Sequence, residues 1–477
     1  MVVYDTSTVQ FDLLESLCFS NISELRFETK TFMKSLKNVK ELKISGCEEL
    51  TCSFQNEDRL LQHLISVGRL YIEDNSGLVE KLGKEAEQLV QLQILDCKLE
   101  CLELSKCGSL LKVPEGLHNL TSLQKLCINQ CSSLVSFPDV GLPPCLKVIE
   151  IRKCDSLLHF AKYQIPPSLR RIEIQECENL KSLIEKEEVV VDDSCSYCLE
   201  YLQIWKCPSL LFLLCKSQLP MALKELKIWD CRQLELITER FLDDTYQLEE
   251  LGIMHCPNLK SLPEGLCHLT NLQTFYIVDC QSLVSLPRMS VWPRETSIES
   301  CEKLEVAHLL RDMMHSNNIE ILSIEYCEGL TTTSFPPNLT ILDIRKIKNC
   351  KVLMESQGFH RLTSLRILWI YGEDDPGLVS FPPAESSKEK EMLLPRSLVE
   401  LAILNFPNLK KLNKGFQFLT SLKWLRIHNC PKLTTIPKEG LPLSLTQLYI
   451  HECPLLEERC KGRYQPKIAY IPCVQIR

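Results

Sequence analysis

The phrase L-x-x-L-x-I-x-x-C-x-x-L recurs along the 477 residues, and it restricts the fold more than any other feature of the chain. It is read as Leu123, Leu126, Ile128, Cys131 and Leu134, then as Leu146, Ile149, Ile151, Cys154 and Leu157, and again as Leu169, Ile172, Ile174, Cys177 and Leu180. Marked by its third apolar residue, it returns at 44, 72, 104, 128, 151, 174, 204, 228, 253, 277, 298, 324, 344, 370, 403, 427 and 450. These 17 copies have a mean period of about 25 residues. A weaker copy is expected at Leu14, Leu17 and Phe19. Leu89, Leu92, Ile94 and Cys97 also fit the phrase, but they lie ten residues before Leu99, Leu102, Leu104 and Cys107. Ten residues cannot cross to the far side of a repeat and return, so the second match is kept; Leu110, Val113 and Pro114 follow it as in neighbouring copies.

The alternation L-x-I places two apolar side chains on one face of a short strand, and strands repeated at this period pair in parallel over a shared core. A period of this length is that of a leucine-rich repeat. The expected fold is therefore an α/β leucine-rich-repeat solenoid, a horseshoe with a long parallel sheet on its concave face and irregular loops or short helical turns on its convex face. The expected organisation is a degenerate, poorly capped N-terminal repeat over 1–35, about 17 repeats over 36–456, and a C-terminal cap or tail over 457–477.

Cysteine is abundant, at 26 residues, yet 13 of the 17 copies carry one at the same place, three residues after the marker. The exceptions are Asn75, Ile347, Glu373 and Phe406. There the chain turns inward, and a small buried donor can satisfy a neighbouring carbonyl while packing as a small hydrophobe. Half of the cysteines are thus structural. Neighbouring repeats bring them within disulfide range, but a reducing compartment argues against bridges. The N-terminus shows no signal peptide and the longest apolar runs are too short to span a bilayer, so a cytoplasmic or otherwise intracellular location is expected. The net charge of −8 offers no basic footprint for nucleic acid.

Several phrases are more specific than the repeat itself. Segments between strands read VPEGLHNLTSLQ (113–124), LPEGLCHLTNLQ (262–273), SQGFHRLTSLR (356–366), FPDVGLPPCLK (137–147) and IPKEGLPLSLTQ (436–447), and the chain finishes in CPLLEERC (453–460) and PKIAYIP (466–472). With these the chain resembles the C-terminal repeat domain of plant intracellular immune receptors of the coiled-coil, NB-ARC, leucine-rich-repeat type. The resemblance implies a partner that is a pathogen effector or a guarded host protein, and a restraining contact with an NB-ARC module in cis or in trans. It departs from the complete family in having neither a G-x-x-x-x-G-K-[ST] phosphate loop nor an M-H-D triplet. Nucleotide binding therefore does not carry over: no cofactor is expected in this chain, and ADP or ATP would belong to the NB-ARC module. The expectation is either a piece of a larger receptor or a shortened relative.

Binding residues are sought in the three strand positions that the repeat leaves free: before the Leu, between the Leu and the Ile, and after the Ile. Four of the five tryptophans fall there. Trp205 and Trp229 follow the Ile in consecutive copies, Met254 takes the same place in the next, and Tyr276 lies one column over. A second group holds Trp369, Tyr371, Trp424 and Tyr449. Aromatic side chains of this kind dominate protein interfaces, so these eight are the candidate partner-binding residues. His428 and His451 share a column beside the second group.

Cys195 and Cys198 form half of a zinc motif without a second half, so no metal is expected. No nucleophile elbow or H-E-x-x-H is present. The chain reads as a binding protein without catalytic or cofactor residues. The second reading is the substrate-recognition repeat of a ubiquitin ligase, or a standalone scaffold.

Overall fold

The computed structural model describes residues 14–22, 36–47, 60–92, 97–138, 141–162, 165–185, 198–214, 219–238, 247–313, 315–325, 335–346, 350, 354, 359–373, 375, 377–383 and 393–477. The chain divides into two compact units, Met1–Leu248 and Glu249–Arg477.

In the first unit nine five-residue strands pair in parallel, among the described residues, in chain order: Ser16–Ser20, Glu41–Ser45, Arg69–Glu73, Cys101–Ser105, Lys125–Asn129, Val148–Arg152, Arg171–Gln175, Tyr201–Trp205 and Glu225–Trp229. The weak copy at Leu17 and Phe19 is the first of them, although Leu14 stays 43% exposed. The retained copy at Leu102 and Leu104 forms a strand, whereas Leu89 and Leu92 lie in a helix, Ser76–Leu92, and Ile94 falls outside the described residues. Registers never slip: Leu202 faces Leu226 and Ile204 faces Ile228, all buried. A one-residue shift would move both to the solvent side.

The second unit repeats the ladder with ten strands among the described residues: Glu250–Met254, Thr274–Val278, Glu295–Glu299, Ile321–Glu325, Ile341–Arg345, Ile367–Tyr371, Glu400–Leu404, Trp424–His428, Gln447–His451 and Cys473–Ile476. The last belongs to no counted copy. After CPLLEERC forms the helix Pro454–Lys461, the tail returns to pair Val474 with Leu448 and Ile476 with Ile450. The parallel ladders and inward Leu/Ile rows are those of a leucine-rich-repeat solenoid.

Most of the strands end in the same way, Gly372 after Ile367–Tyr371 being an exception. The next residue takes a left-handed conformation, as at Asp74, Lys106, Gln130, Lys206, His255 and Asn429 (φ 57, 51, 54, 51, 54 and 50°). A side chain there costs about 1–2 kcal/mol. The cost is offset because the turned N–H meets the last carbonyl of the next strand: Lys106 donates to Asn129 O at 2.9 Å and His255 to Val278 O at 2.8 Å. The inward cysteine follows. Cys131 Sγ reaches Asn129 O at 3.6 Å and Leu104 O of the preceding repeat at 4.0 Å; Cys301 reaches Glu299 O at 3.3 Å and Ile277 O at 3.8 Å. The small-donor expectation describes this geometry, and the described cysteines are all free thiols.

Two of the exceptions, Asn75 and Phe406, have local reasons. Asn75 Oδ1 accepts the Leu78 N–H at 2.8 Å, capping the 17-residue helix Ser76–Leu92, a role Cys performs poorly. That helix packs on the turn Glu115–Asn119, where a Cβ on Gly116 would lie 1.9 Å from the Gly83 carbonyl oxygen. Phe406 fills its position with a buried ring, and a Cβ on Gly372 would lie 2.0 Å from that ring. Ile347 lies outside the described residues, as do Cys327, Cys195, and most of the long connections Glu185–Asp193 and Pro382–Arg396. The phrases 113–124, 262–273 and 356–366 form single 3₁₀ turns at Glu115–Asn119, Glu264–His268 and Phe359–Arg361.

Candidate protein-binding faces of the two units

Along the five-residue strands the second and fourth side chains enter the core, and the first, third and fifth stand on the opposite, outer face. All eight candidate residues occupy these outer positions and all are at least partly exposed. Their division between the units splits the first group: Trp205 and Trp229 are in the first, Met254 and Tyr276 in the second.

In the first unit Trp205 and Trp229 face each other in register on adjacent strands. The Lys206 ammonium lies over the Trp205 ring, 4.6 Å from its centroid, an attractive cation–π contact. Trp229 Nε1 is buried and meets no acceptor among the described residues. Around them the outer face is polar and ion-paired: Lys227 with Glu225 at 2.9 Å, Arg171 with Glu173 at 2.6 Å, Lys224 with Glu200 at 2.9 Å. Farther along, a depression of about 560 Å³ is lined by Arg69, Tyr71, Cys101, Glu103, Lys125 and Glu150 among others. Burial, with the Glu150 carboxylate beside it, pushes the Cys127 thiol there up to about 12, so it is no nucleophile at neutral pH.

In the second unit Met254 is half-buried, and burial together with a hydrogen bond to Glu295 raises the Tyr276 phenol. Trp369 Nε1 donates to Glu400 Oε1 at 2.9 Å. Tyr371 lies under the Arg345 guanidinium, 5.2 Å from the ring centroid. Arg345 in turn is held by Glu299 at 2.9 Å and Asp343 at 2.9 Å. Asp343 is only 3% exposed, and burial raises its carboxyl even against the guanidinium. Arg426 lies 5.8 Å from the Tyr449 ring, and the Tyr449 hydroxyl donates to Gln447 Oε1. Trp424 is 45% exposed. The His428 and His451 rings are 6.5 Å apart, with Glu452 at 3.6 Å from His428 Nε2. The fifth tryptophan, Trp292, is core: 2% exposed and edge-on to Phe275.

The outer face of the second unit also carries an aliphatic row. At the first outer position Ile321, Ile341 and Ile367 stand in register on adjacent strands, all half-buried, between Glu295 on one side and Glu400 and then Trp424 on the other. Three aliphatic residues at a position that is usually polar were the available signal.

Among the described residues no group of three or more His, Cys, Asp or Glu could hold a metal ion, and no helix is long and apolar enough to cross a membrane. The arrangement offers flat, partly apolar surfaces for contact.

No family model matches the chain. Two proteins of Arabidopsis thaliana named for disease resistance are similar to it in sequence. At3g14460 is 30% identical over 371 residues, covering 77% of this chain and 22% of that protein. RPS4 is 27% identical over 230 residues, covering 45% of this chain and 18% of that protein. The chain thus spans about a fifth of the length of the relatives it matches. Among solved structures, a leucine-rich-repeat protein of Leptospira interrogans has a TM-score of 0.40 at 16% identity, covering 95% of this chain and 100% of that one. YopM from Yersinia enterocolitica has a TM-score of 0.33 at 20% identity, covering 74% of each chain. The chain is a leucine-rich-repeat solenoid related in sequence to plant disease resistance proteins.

Proposed function

We propose that the chain is the protein-recognition domain of a plant disease-resistance receptor. In this reading it senses a pathogen effector or a guarded host protein through its outer faces and restrains an NB-ARC module until it does so. The observation that carries the proposal is the similarity to a disease resistance protein over 371 residues. The outer faces support it, since aromatic side chains stand where the repeat asks for none. Nucleotide would be bound by the NB-ARC module, and the chain itself would act by contact in the cytoplasm or nucleus, without a catalytic step.

Restraint is tested by co-precipitating the 477-residue chain with an NB-ARC module from a related receptor. Association is expected, and its complete absence would count against the restraining role. Recognition is tested by screening effector and host candidates against the chain and against a Trp205→Ala, Trp229→Ala variant. A partner whose binding survives in the variant would engage a surface other than this tryptophan pair.

A further inference from the structure

We infer that the outer face of the second unit, from Ile321 to Trp424, receives an acidic amphipathic helix of a partner protein. This rests on the protein-recognition reading and names the chemistry of the partner at that face. The first observation is the row Ile321, Ile341, Ile367, Glu400, Trp424, one residue per strand in unbroken register. The inward positions already supply the core, since Leu342, Ile344, Leu368 and Ile370 are fully buried. The outer isoleucines are not needed to build it, and each leaves apolar surface in water. Cross-strand packing among them is the ordinary explanation for such a row, but it does not account for the charges alongside.

Those charges are the second observation. Arg366 and Lys423 immediately precede Ile367 and Trp424, Arg426 stands two residues beyond Trp424, and all three are exposed. Among the described residues none of the three is in an ion pair. Cations at the same place elsewhere mostly have carboxylates: Lys40 with Glu15 at 2.7 Å, Arg170 with Glu200 at 3.6 Å, Lys224 with Glu200 at 2.9 Å and, in the second unit, Arg294 with Glu320 at 2.7 Å, while Lys147 donates to Gln124 Oε1 at 3.1 Å. The carboxylate nearest in register, Glu400, accepts instead from Trp369 Nε1. Four apolar side chains in a row interrupted by Glu400, with three cations beside them outside any ion pair and Glu320 taken up by Arg294, complement an apolar stripe flanked by carboxylates.

The spacing fits a helix. Successive strands advance about 4.8 Å and successive helical turns about 5.4 Å, so residues i, i+3/4 and i+7 of a helix laid along the row stay near consecutive isoleucines. Four strand steps from Ile321 to Trp424 span about 19 Å, or about 13 helical residues.

The test measures fluorescence anisotropy of labelled probes with the full chain. One probe is an 18-residue helical peptide with Leu at i, i+3, i+4 and i+7 and Glu on both flanks; the second replaces Glu by Lys; the third is a single-stranded RNA. The Glu peptide is expected to bind at least about tenfold more tightly than the Lys peptide, with affinity falling as salt rises. Arg366→Glu with Lys423→Glu, both exposed, should reverse that preference. Ile341→Ser with Ile367→Ser should weaken the Glu peptide while leaving the unfolding midpoint in place; if the midpoint shifts, the charge reversal still decides. Equal binding of the two peptides, an unreversed preference, or tighter binding of RNA than of either peptide overturns the inference. Loss of the peptide with NB-ARC association retained rejects this face alone, and the recognition domain stands.

Discussion

The first outer position of the strand is filled differently in the two units. In the first, five of nine described strands start on a charge, Glu41, Arg69, Lys125, Arg171 and Glu225, with Val148 and Tyr201 among the rest; in the second Ile321, Ile341, Ile367 and Trp424 stand among Glu250, Glu295 and Glu400. The inward positions show no such difference: Leu226 and Ile228 do in one unit what Leu342 and Ile344 do in the other, at 1% exposure or less. Close packing tolerates little change in a core side chain, whereas an outer side chain touches mainly its cross-strand neighbours. The outer rows are therefore free to differ.

The largest effect that can break this comparison comes from setting an inward residue against its outer neighbour. Ile344→Ala should cost about 2–5 kcal/mol in chemical denaturation, and so should Ile228→Ala. Ile341→Ala should stay within about 1 kcal/mol. Equal costs for Ile341 and Ile344 would make the outer row part of the core. Next in size are the close approaches. Gly116→Ala in the first unit and Gly372→Ala in the second each drive a Cβ against buried neighbours, and each should lose about 1–3 kcal/mol. A neutral result at Gly116 would mean that the helix Ser76–Leu92 can shift away from the turn.

A smaller change in stability is expected from the tryptophans. Trp205→Ala with Trp229→Ala, compared with Trp424→Ala alone, should leave each thermal transition within a few degrees, about 1 kcal/mol, while either the pair or the single substitution abolishes partner binding. The face whose loss matters is the face that is used.

The smallest effects are electrostatic and opposite in sign. Hydrogen bonds from Lys106 and Ser45 hold the Glu73 carboxyl below its ordinary value of 4.5. Its contribution is present above that value and lost as pH falls through the lower folded one. Asp343 is raised by burial above its ordinary value of 3.8, so it costs stability as pH climbs from there through its folded value. Glu73→Gln should flatten the acid limb of the stability curve by less than about 1 kcal/mol, and Asp343→Asn should change that limb in the other direction. Slopes of the same sign in both variants would contradict the assigned causes.

The ladder was legible because its period is carried by large apolar residues whose burial is obligatory: Leu226 and Ile228 can point only one way. The cysteine column was legible for a similar reason, a small buried donor beside the carbonyl that ends each strand. The tail was not. Cys473–Ile476 has two alternating apolar residues and none of the flanking lattice, so nothing local distinguishes a strand that Leu448 and Ile450 recruit. The helix Ser76–Leu92 was hidden by Leu89 and Leu92, which fit the strand phrase by coincidence. The aromatic candidates could be placed on the outer face from their positions alone, but their partners could not be foreseen. Glu400 at Trp369 and Arg345 over Tyr371 come from strands 31 and 26 residues away in sequence.

The sequence by itself determined which side chains face the core, how often the chain returns, and that the solenoid is a surface-presenting scaffold. Periodicity is a local property, and burial converts it directly into strand and register. Tertiary structure alone decided which outer side chains became neighbours. Residues some 20 to 33 apart in the chain stand one strand apart on the sheet, and their pairing depends on the register of both strands. That neighbourhood turned three isolated isoleucines into a row. It also set Arg366, Lys423 and Arg426 beside that row outside any ion pair among the described residues, with Arg426 against the Tyr449 ring, while Lys40, Arg170 and Lys224 of the first unit found carboxylates.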